Sequence, residues 1–252
     1  MIRLFVRAPL HEASEVALEG DAAHYLTRVM RLGEGDELRL FNGVDGEWSA
    51  RIVEASKRIC RLRVGARVRA QGAAPDLELH VALVKRAPLE TIVEKATELG
   101  VRRIRLLRTE RTNADHTNLE RLAAIAREAA EQCGRLDVPE IHAAERLADR
   151  LAAPEAGRAV MFCDEAGEAP GAVAALARRG PGPWAVLIGP EGGFTPTERT
   201  AIRAHPAVVP VSLGERILRA DTAAIAALAI WQSTLGEAVG LEVGAALPQV
   251  RG

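Results

Sequence analysis

LIGPEGGFTPTE at residues 187–198 and SLGERILRADTAA at residues 212–224 decide how this chain is read. Each follows a short apolar run that reads as a buried strand, and each runs into a helix. Two such loops can be brought side by side at one sheet edge, where open α/β sheets bind ligands. In the first, Trp184 to Ile188 is ended by Gly189-Pro190. Gly192 and Gly193 leave the backbone free to take positive φ and to lie against a ligand with no Cβ in between. Thr195-Pro196-Thr197-Glu198 is a capping box with proline at the first helical position, so a helix is expected from residue 196. In the second, Val208 to Leu213 reads as a strand, Gly214 breaks it, and Thr222 to Trp231 reads as a buried helix. Arg219 stands between Leu218 and Ala220 on this apolar segment, and a buried arginine requires a carboxylate, a helix terminus or a ligand. Asp221 is either that carboxylate or the N-cap of the helix that follows.

Working outward, the stretch from Ala70 to Pro75 has the composition of a linker. Before it, Glu37 to Phe41, Glu47 to Val53 and Ile59 to Val64 alternate in polarity between glycine-containing turns, which predicts a small all-β barrel. After it, strands alternate with helices. Leu77 to Val84, Ile104 to Leu107, Val160 to Cys163, Ala185 to Ile188 and Val208 to Val211 are expected to form a parallel sheet. Pro88 to Leu99 and a helix opened by Thr117-x-x-Glu120 are expected to cover it.

Composition bounds the function classes. The chain has 252 residues, 48% hydrophobic and 27% charged, enough for one large or two modest cores. Cys60, Cys133 and Cys163 form no C-x-x-C pair and read as reduced thiols of a cytosolic protein. No histidine, His24 and His80 included, has a metal-spaced partner, so no metal is expected. No secretory pattern opens the chain, and the apolar helix near the C-terminus is far shorter than the ~20 residues of a membrane span, so a cytoplasmic location is expected. The net charge of −1 argues against an all-over nucleic-acid surface. Arginines cluster all the same: Arg51, Lys57, Arg58, Arg61, Arg63, Arg67 and Arg69 in one run, Arg102, Arg103, Arg105, Arg108 and Arg111 in another. Either run is a grip for phosphates or the solvated face of a strand, and the second reads more as a strand face. G-x-G-x-x-G, G-K-[ST], H-E-x-x-H and G-x-S-x-G are all absent, which disfavours Rossmann-type, P-loop, zinc-protease and α/β-hydrolase chemistry.

The GPEGG run with its T-x-x-E helix start, followed by LG-x-RILR-x-D-TA, resembles the motif pair of bacterial 16S ribosomal RNA uridine-N3 methyltransferases of the SPOUT superfamily. KATELGV at 95–101, Glu110 to Thr112, EAAEQCGR at 128–135 and HYLTRVMRL at 24–32 extend the likeness over nearly the whole chain. Asp221 departs from it, since the family more often has glutamate there. The resemblance implies a PUA-like β-barrel over 1–72 that recognises RNA, and a SPOUT-type, trefoil-knotted parallel-sheet domain over 73–252. It implies S-adenosylmethionine held at a homodimer interface by Gly189, Pro190, Gly192 and Gly193 of the first loop and by Leu213, Gly214, Ile217, Leu218 and Thr222 of the second. The implied reaction is methylation at N3 of a specific uridine near the 3′ end of 16S ribosomal RNA, as naked RNA or as the assembled small subunit. Arg219 would stabilise the negative charge that develops on the base, because a guanidinium offers several donors and keeps its proton. The proton acceptor stays open among Glu191, Asp221 and hydroxide or water, with Glu191 also readable as a carboxylate that orders its loop. Arg28, Arg31, Arg61, Arg63, Lys85, Arg86 and Arg111 are the expected RNA contacts. Two other readings stand beside this one: a related enzyme acting on a ribose or on transfer RNA, and a catalytically silent RNA-binding assembly protein.

Overall fold

The computed structural model describes residues 1–56, 58–112, 117–164 and 169–236, so Lys57 and the apolar tail from Val239 to Leu247 lie outside the described residues. The chain forms two compact units. One is Met1–Ala73 with Arg127–Val138; the other is Ala74–Ala126 with the described residues from Pro139 onward.

The first unit is built on β1 (Arg3–Phe5), β2 (Glu15–Glu19), β3 (Glu37–Phe41), β4 (Glu47–Ala55) and β5 (Ile59–Arg69), in the order β1-β3-β4-β5-β2. β1 runs parallel to β3 and the other pairs are antiparallel. Alternation turns Leu38, Leu40, Ile52, Leu62 and Val64 inward. Register irregularities along the β4–β5 pair supply the bends of a PUA-like half-barrel. The unit is not purely β: a short helix α1 (Gly20–His24) runs on into a π-helical turn at Tyr25–Val29, burying Ala23 and Leu26. Arg3 is the fastener of this unit, donating to Glu47 Oε1 and to the carbonyls of Ala130, Glu131 and Arg135. Burial works against ionisation of Glu47, but hydrogen bonds from Arg69 and Arg3 outweigh it and hold the carboxyl below its ordinary value.

The second unit holds β6 (Leu77–Ala82), β7 (Arg103–Arg108), β8 (Glu140–Arg146), β9 (Ala159–Cys163), β10 (Trp184–Ile188) and β11 (Val208–Val211), all parallel, in the order β11-β9-β10-β6-β7-β8. This is the SPOUT-type α/β layout that the motifs imply. β6 and β10 are buried at every position, as central strands covered on both faces must be. The helices are α2 (Arg86–Glu98), α3 (Leu119–Cys133, which from Arg127 on belongs to the first unit), α4 (Leu147–Ala152), α5 (Ala172–Arg179), α6 (Pro196–Ala204) and α7 (Ala220–Leu235). α7 packs on α2, α5 and β10. The Thr195 capping box is present in full, with proline at the start of α6. The start of α3 differs from expectation: Asn118, not Thr117, caps it, its Oδ1 accepting from the Arg121 N–H at 2.9 Å.

The second arginine run is a solvated strand face only in part: Arg102 and Arg108 are exposed, while Arg103 and Arg105 are half-buried. Arg103 and Arg105 turn toward Glu78, a fully buried carboxylate on β6, with Nε to Oε distances of 2.5 and 2.8 Å. Arg158 adds a contact to Glu78 at 3.4 Å and bonds Asp76 and Glu155 at 2.9 and 3.0 Å. Burial would raise the Glu78 carboxyl, but the His80 hydrogen bond, the Arg105 hydrogen bond and the Arg158 charge outweigh it, and the group is held far below the ordinary range. Three cations around one buried anion are tolerable because Asp76 and Glu155 complete the balance.

His80 lies against Glu78 at 2.9 Å, with Arg105 and Arg150 as its other charged neighbours. Burial lowers its pKa; Glu78 opposes that and the two arginines reinforce it. A folded-state pKa below the unfolded value of about 6.5 gives stability that is complete above that pH and lost as pH falls through it, because the unfolded chain takes up the proton first. Urea unfolding from about pH 8 down to about pH 5 is expected to show falling stability in this range, and His80→Gln to flatten the fall.

Candidate functional site

The order β11-β9-β10 places the loops after β10 and β11 on either side of the end of β9. Between them lies a cleft of about 210 Å³. Its first wall is Ile188, Gly189, Pro190, Glu191 and Gly193; its second is Leu213, Gly214, Arg216, Ile217, Leu218 and Arg219, continued by Ala220 and Ala223 of α7. Cys163 and Asp164 at the end of β9 line it too. Gly193 and Gly214 have φ of +66° and +116°, a region open to glycine and strained for other residues. Both therefore present bare backbone to the cleft.

Three ties fix the first loop from outside. The Lys85 N–H, just ahead of α2, donates to Glu191 Oε1 at 3.2 Å. Arg111 Nη1 donates to the Gly192 carbonyl at 2.9 Å. The Glu110 N–H donates to Glu198 Oε1 at 2.8 Å, while Glu198 Oε2 accepts from the Thr195 N–H at 2.9 Å. Asp164, whose side chain is fully buried, holds α6 through Arg199 at 3.1 Å and Arg203 at 2.7 Å.

The structure brings most of the expected cofactor residues together and separates two from the cleft. Gly189, Pro190, Gly193, Leu213, Gly214, Ile217 and Leu218 line it; Gly192 and Thr222 do not. A Cβ on Gly192 would meet Arg111 Cβ at 3.4 Å, an ordinary contact distance, so Gly192 faces Arg111 and space alone does not demand glycine there. Thr222 is exposed on the first turn of α7. Arg219 is not buried. It is exposed, its backbone is the N-cap of α7, and its side chain pairs with no described residue. Asp221 is therefore neither its partner nor the cap, since its Oδ1 accepts from the Thr222 N–H at 2.8 Å inside the first turn. Of the two expected carboxylates, Glu191 alone lines the cleft.

Among the expected RNA contacts, Arg61 and Arg63 are exposed but paired with Glu54 at 3.0 Å and Glu15 at 2.9 Å. Arg86 pairs with Glu90 at 2.8 Å, and Arg111 is spent on Gly192. Arg28, Arg31 and Lys85 are exposed with side chains that pair with no described residue. Cys163, Asp164 and Arg216 line the cleft without being among the expected site residues. The one usable signal was position, since strand ends of an open α/β sheet line its crevice.

Comparison with known proteins agrees with this geometry. A family model described as an RNA methyltransferase domain matches residues 72–232, and one described as an RNA methyltransferase PUA domain matches residues 18–65. The chain belongs to this family of RNA methyltransferases. Ribosomal RNA small subunit methyltransferase E of Rickettsia conorii is 33% identical over 229 residues, 90% of this chain and 93% of that one. The Synechocystis protein of the same name is 34% identical over 85% of this chain and 71% of its own length. A Legionella pneumophila protein solved with S-adenosylmethionine bound superposes with a TM-score of 0.83 at 28% identity, covering 92% of this chain and 97% of that one.

Gly189 offers a local test of the first loop. A Cβ there would stand 2.8 Å from the ring of Phe194, which is 1% exposed and packs edge-on against Phe162. The ring has nowhere to retreat. Gly189→Ala is expected to lower unfolding free energy by about 1–3 kcal/mol, the usual cost of overpacking, read by urea denaturation.

Proposed function

We propose that this chain is an S-adenosylmethionine-dependent methyltransferase acting at N3 of a specific uridine near the 3′ end of 16S ribosomal RNA in the small subunit. The observation that carries the reading is the cleft between the two glycine loops with a guanidinium on its rim, Arg219, that pairs with no described residue. The cofactor fits the residues present. Ile188, Leu213, Ile217 and Leu218 offer apolar walls for a purine ring, and the backbone at Gly193 and Gly214 offers carbonyl groups, the two amides being engaged by the Pro190 carbonyl and the Ser212 hydroxyl. Ile217 is 86% exposed although it lines the cleft, an apolar side chain without a cover that a bound ring would supply.

When bound, the cofactor supplies an electrophilic methyl group on a sulfonium. The chain's own task is to orient the base and to favour its N3 anion. Loss of the N3 proton spreads negative charge onto the two carbonyl oxygens of uracil, and Arg219, whose side chain pairs with no described residue, is the guanidinium to receive them. Glu191 is the cleft-lining carboxylate within the loop, and the Lys85 amide on one of its oxygens supports its loop-ordering role. Its other oxygen and water are the candidates for the proton.

The half-barrel, residues 1–72 in this reading, is the RNA-recognition domain, with Arg28 and Arg31 among its cations that pair with no described residue. The assembly is a homodimer: Ile217 is uncovered, and Ile225, Ala226 and Ile230 of α7 are only part-buried. No helix among the described residues is long and apolar enough to cross a membrane, and the enzyme is proposed to work in the cytoplasm without a metal.

Mass spectrometry of ribosomal RNA from cells lacking the protein is expected to show one uridine without its methyl group; intact methylation would overturn the assignment. Arg219→Ala should lower turnover by on the order of 10² to 10³ with cofactor affinity kept, since the residue acts on charge that develops later. Activity within a few-fold of the parent removes that role. Light scattering at micromolar protein should report a dimer. Charge reversal at Arg28 and Arg31 should weaken substrate binding and reduce its salt slope more than reversal at the ion-paired Arg61 and Arg63. Equal effects of the two double variants would count against the unpaired arginines as the grip.

A further inference from the structure

We propose that Arg111 and Glu198 are positioning residues for the cofactor loop, holding its backbone from the loop after β7, and that Arg111 is not an RNA ligand; this rests on the cofactor reading above. The wall formed by residues 189–193 turns through a hydrogen bond from the Gly193 N–H to the Pro190 carbonyl at 2.9 Å. The peptide between Gly192 and Gly193 has glycine on both sides, and Gly193 sits at φ +66°. With no Cβ on either flank, that single hydrogen bond is what the turn itself sets against rotation of the peptide plane. Rotation would open the turn and displace Gly193, which lines the cleft. A second hold comes from outside the turn.

Arg111 supplies it. Its Nη1 donates to the Gly192 carbonyl at 2.9 Å, and its aliphatic stem lies where a Cβ on Gly192 would touch it. The donor side is itself ordered: the Thr109 N–H donates to Thr112 Oγ1 at 2.9 Å and the Thr112 N–H to the Thr109 carbonyl at 3.2 Å, closing a turn that presents Glu110 and Arg111. Glu198 locks that turn to the far end of the same loop, one carboxylate oxygen on the Glu110 amide and the other on the Thr195 amide. A capping box alone needs one of these oxygens. The second oxygen is the part of Glu198 that capping does not explain.

Titration calorimetry with S-adenosylmethionine and no RNA tests this on Arg111→Ala, Arg111→Lys and Glu198→Gln, each beside a melting curve of the unliganded protein. Glutamine keeps the cap through its one carbonyl oxygen but cannot accept from both amides. The expected result is a roughly tenfold weaker Kd for Arg111→Ala, about 1.4 kcal/mol, partial recovery with lysine and a several-fold loss for Glu198→Gln, with unliganded melting temperatures held. A Kd within twofold of the parent for Arg111→Ala and Glu198→Gln overturns the proposal. So does a loss of affinity that only tracks a lowered melting temperature. If Arg111→Ala instead raises the KM for RNA and flattens its salt dependence at unchanged cofactor Kd, the residue is a phosphate contact and the proposal fails. A parent protein that does not bind S-adenosylmethionine overturns the cofactor reading itself, a result distinct from the others.

Discussion

The site depends on one topological constraint: β9 lies between β10 and β11. Neighbouring strands stand about 4.8 Å apart, so two strands separated by a third deliver their loops roughly 10 Å apart. That gap is wide enough for a flat ring and narrow enough for both walls to touch it. Were β10 and β11 neighbours, their loops would pack on one another and close the gap. The end of β9 is left as the floor, which is why Cys163 and Asp164 appear in the cleft. Asp164 then holds α6 through Arg199 and Arg203, so the floor of the cleft and the helix that ends its first wall are one assembly.

Charge in this chain divides between groups that hold the fold and groups left open. Around Glu78, Arg103, Arg105 and Arg158 are matched by acids, and on the half-barrel Arg51, Arg61 and Arg63 face Glu37, Glu54 and Glu15 across the strands. Exposed pairs of that kind are worth under about 1 kcal/mol each to stability. They matter more by cancelling the field that a phosphate would meet. Cations that pair with no described residue include Arg28 and Arg31 beside the π-helical turn, Lys85 ahead of α2, and Arg216 and Arg219 on the cleft rim. A net charge of −1 is compatible with nucleic-acid binding, because the distribution of charge and not its sum governs the local field.

The central strands, α2, α6, α7 and the two glycine loops were legible because each carries a strong local signal: a continuous apolar run, a capping box, or glycines at a strand end. β8 was missed for a physical reason. Its seven residues, EIHAAER, have no fully buried position, so no alternation is impressed on the sequence. β1 is three residues long and gains its place by pairing with β3, a non-local fact. Arg219 was misread because its neighbours in sequence are apolar, while its exposure follows from an N-cap geometry with φ −66° and ψ 156° that turns the chain there. The arginine run at 51–69 looked basic because the acids that neutralise it come from other strands, Glu15 of β2 and Glu37 of β3. Tertiary pairing of charges leaves no trace in a linear window.

The N-cap position of Arg219 also has an electrostatic consequence that its sequence neighbours hide. The first carbonyl to enter α7's ladder is that of Arg219 itself, accepting from Ala223 at 2.8 Å. The amides of the first turn therefore point toward the cleft end of the helix, and the Thr222 amide is satisfied by Asp221. A helix N-terminus carries about half a unit of positive charge, and here a full guanidinium charge is attached at the same point. Asp221 offsets part of this within the turn, but its Oδ1 is turned to the helix amide while the guanidinium stays open. Helix end and side chain together favour a flat anion on the rim over its neutral form, and a uracil that has lost its N3 proton is such an anion.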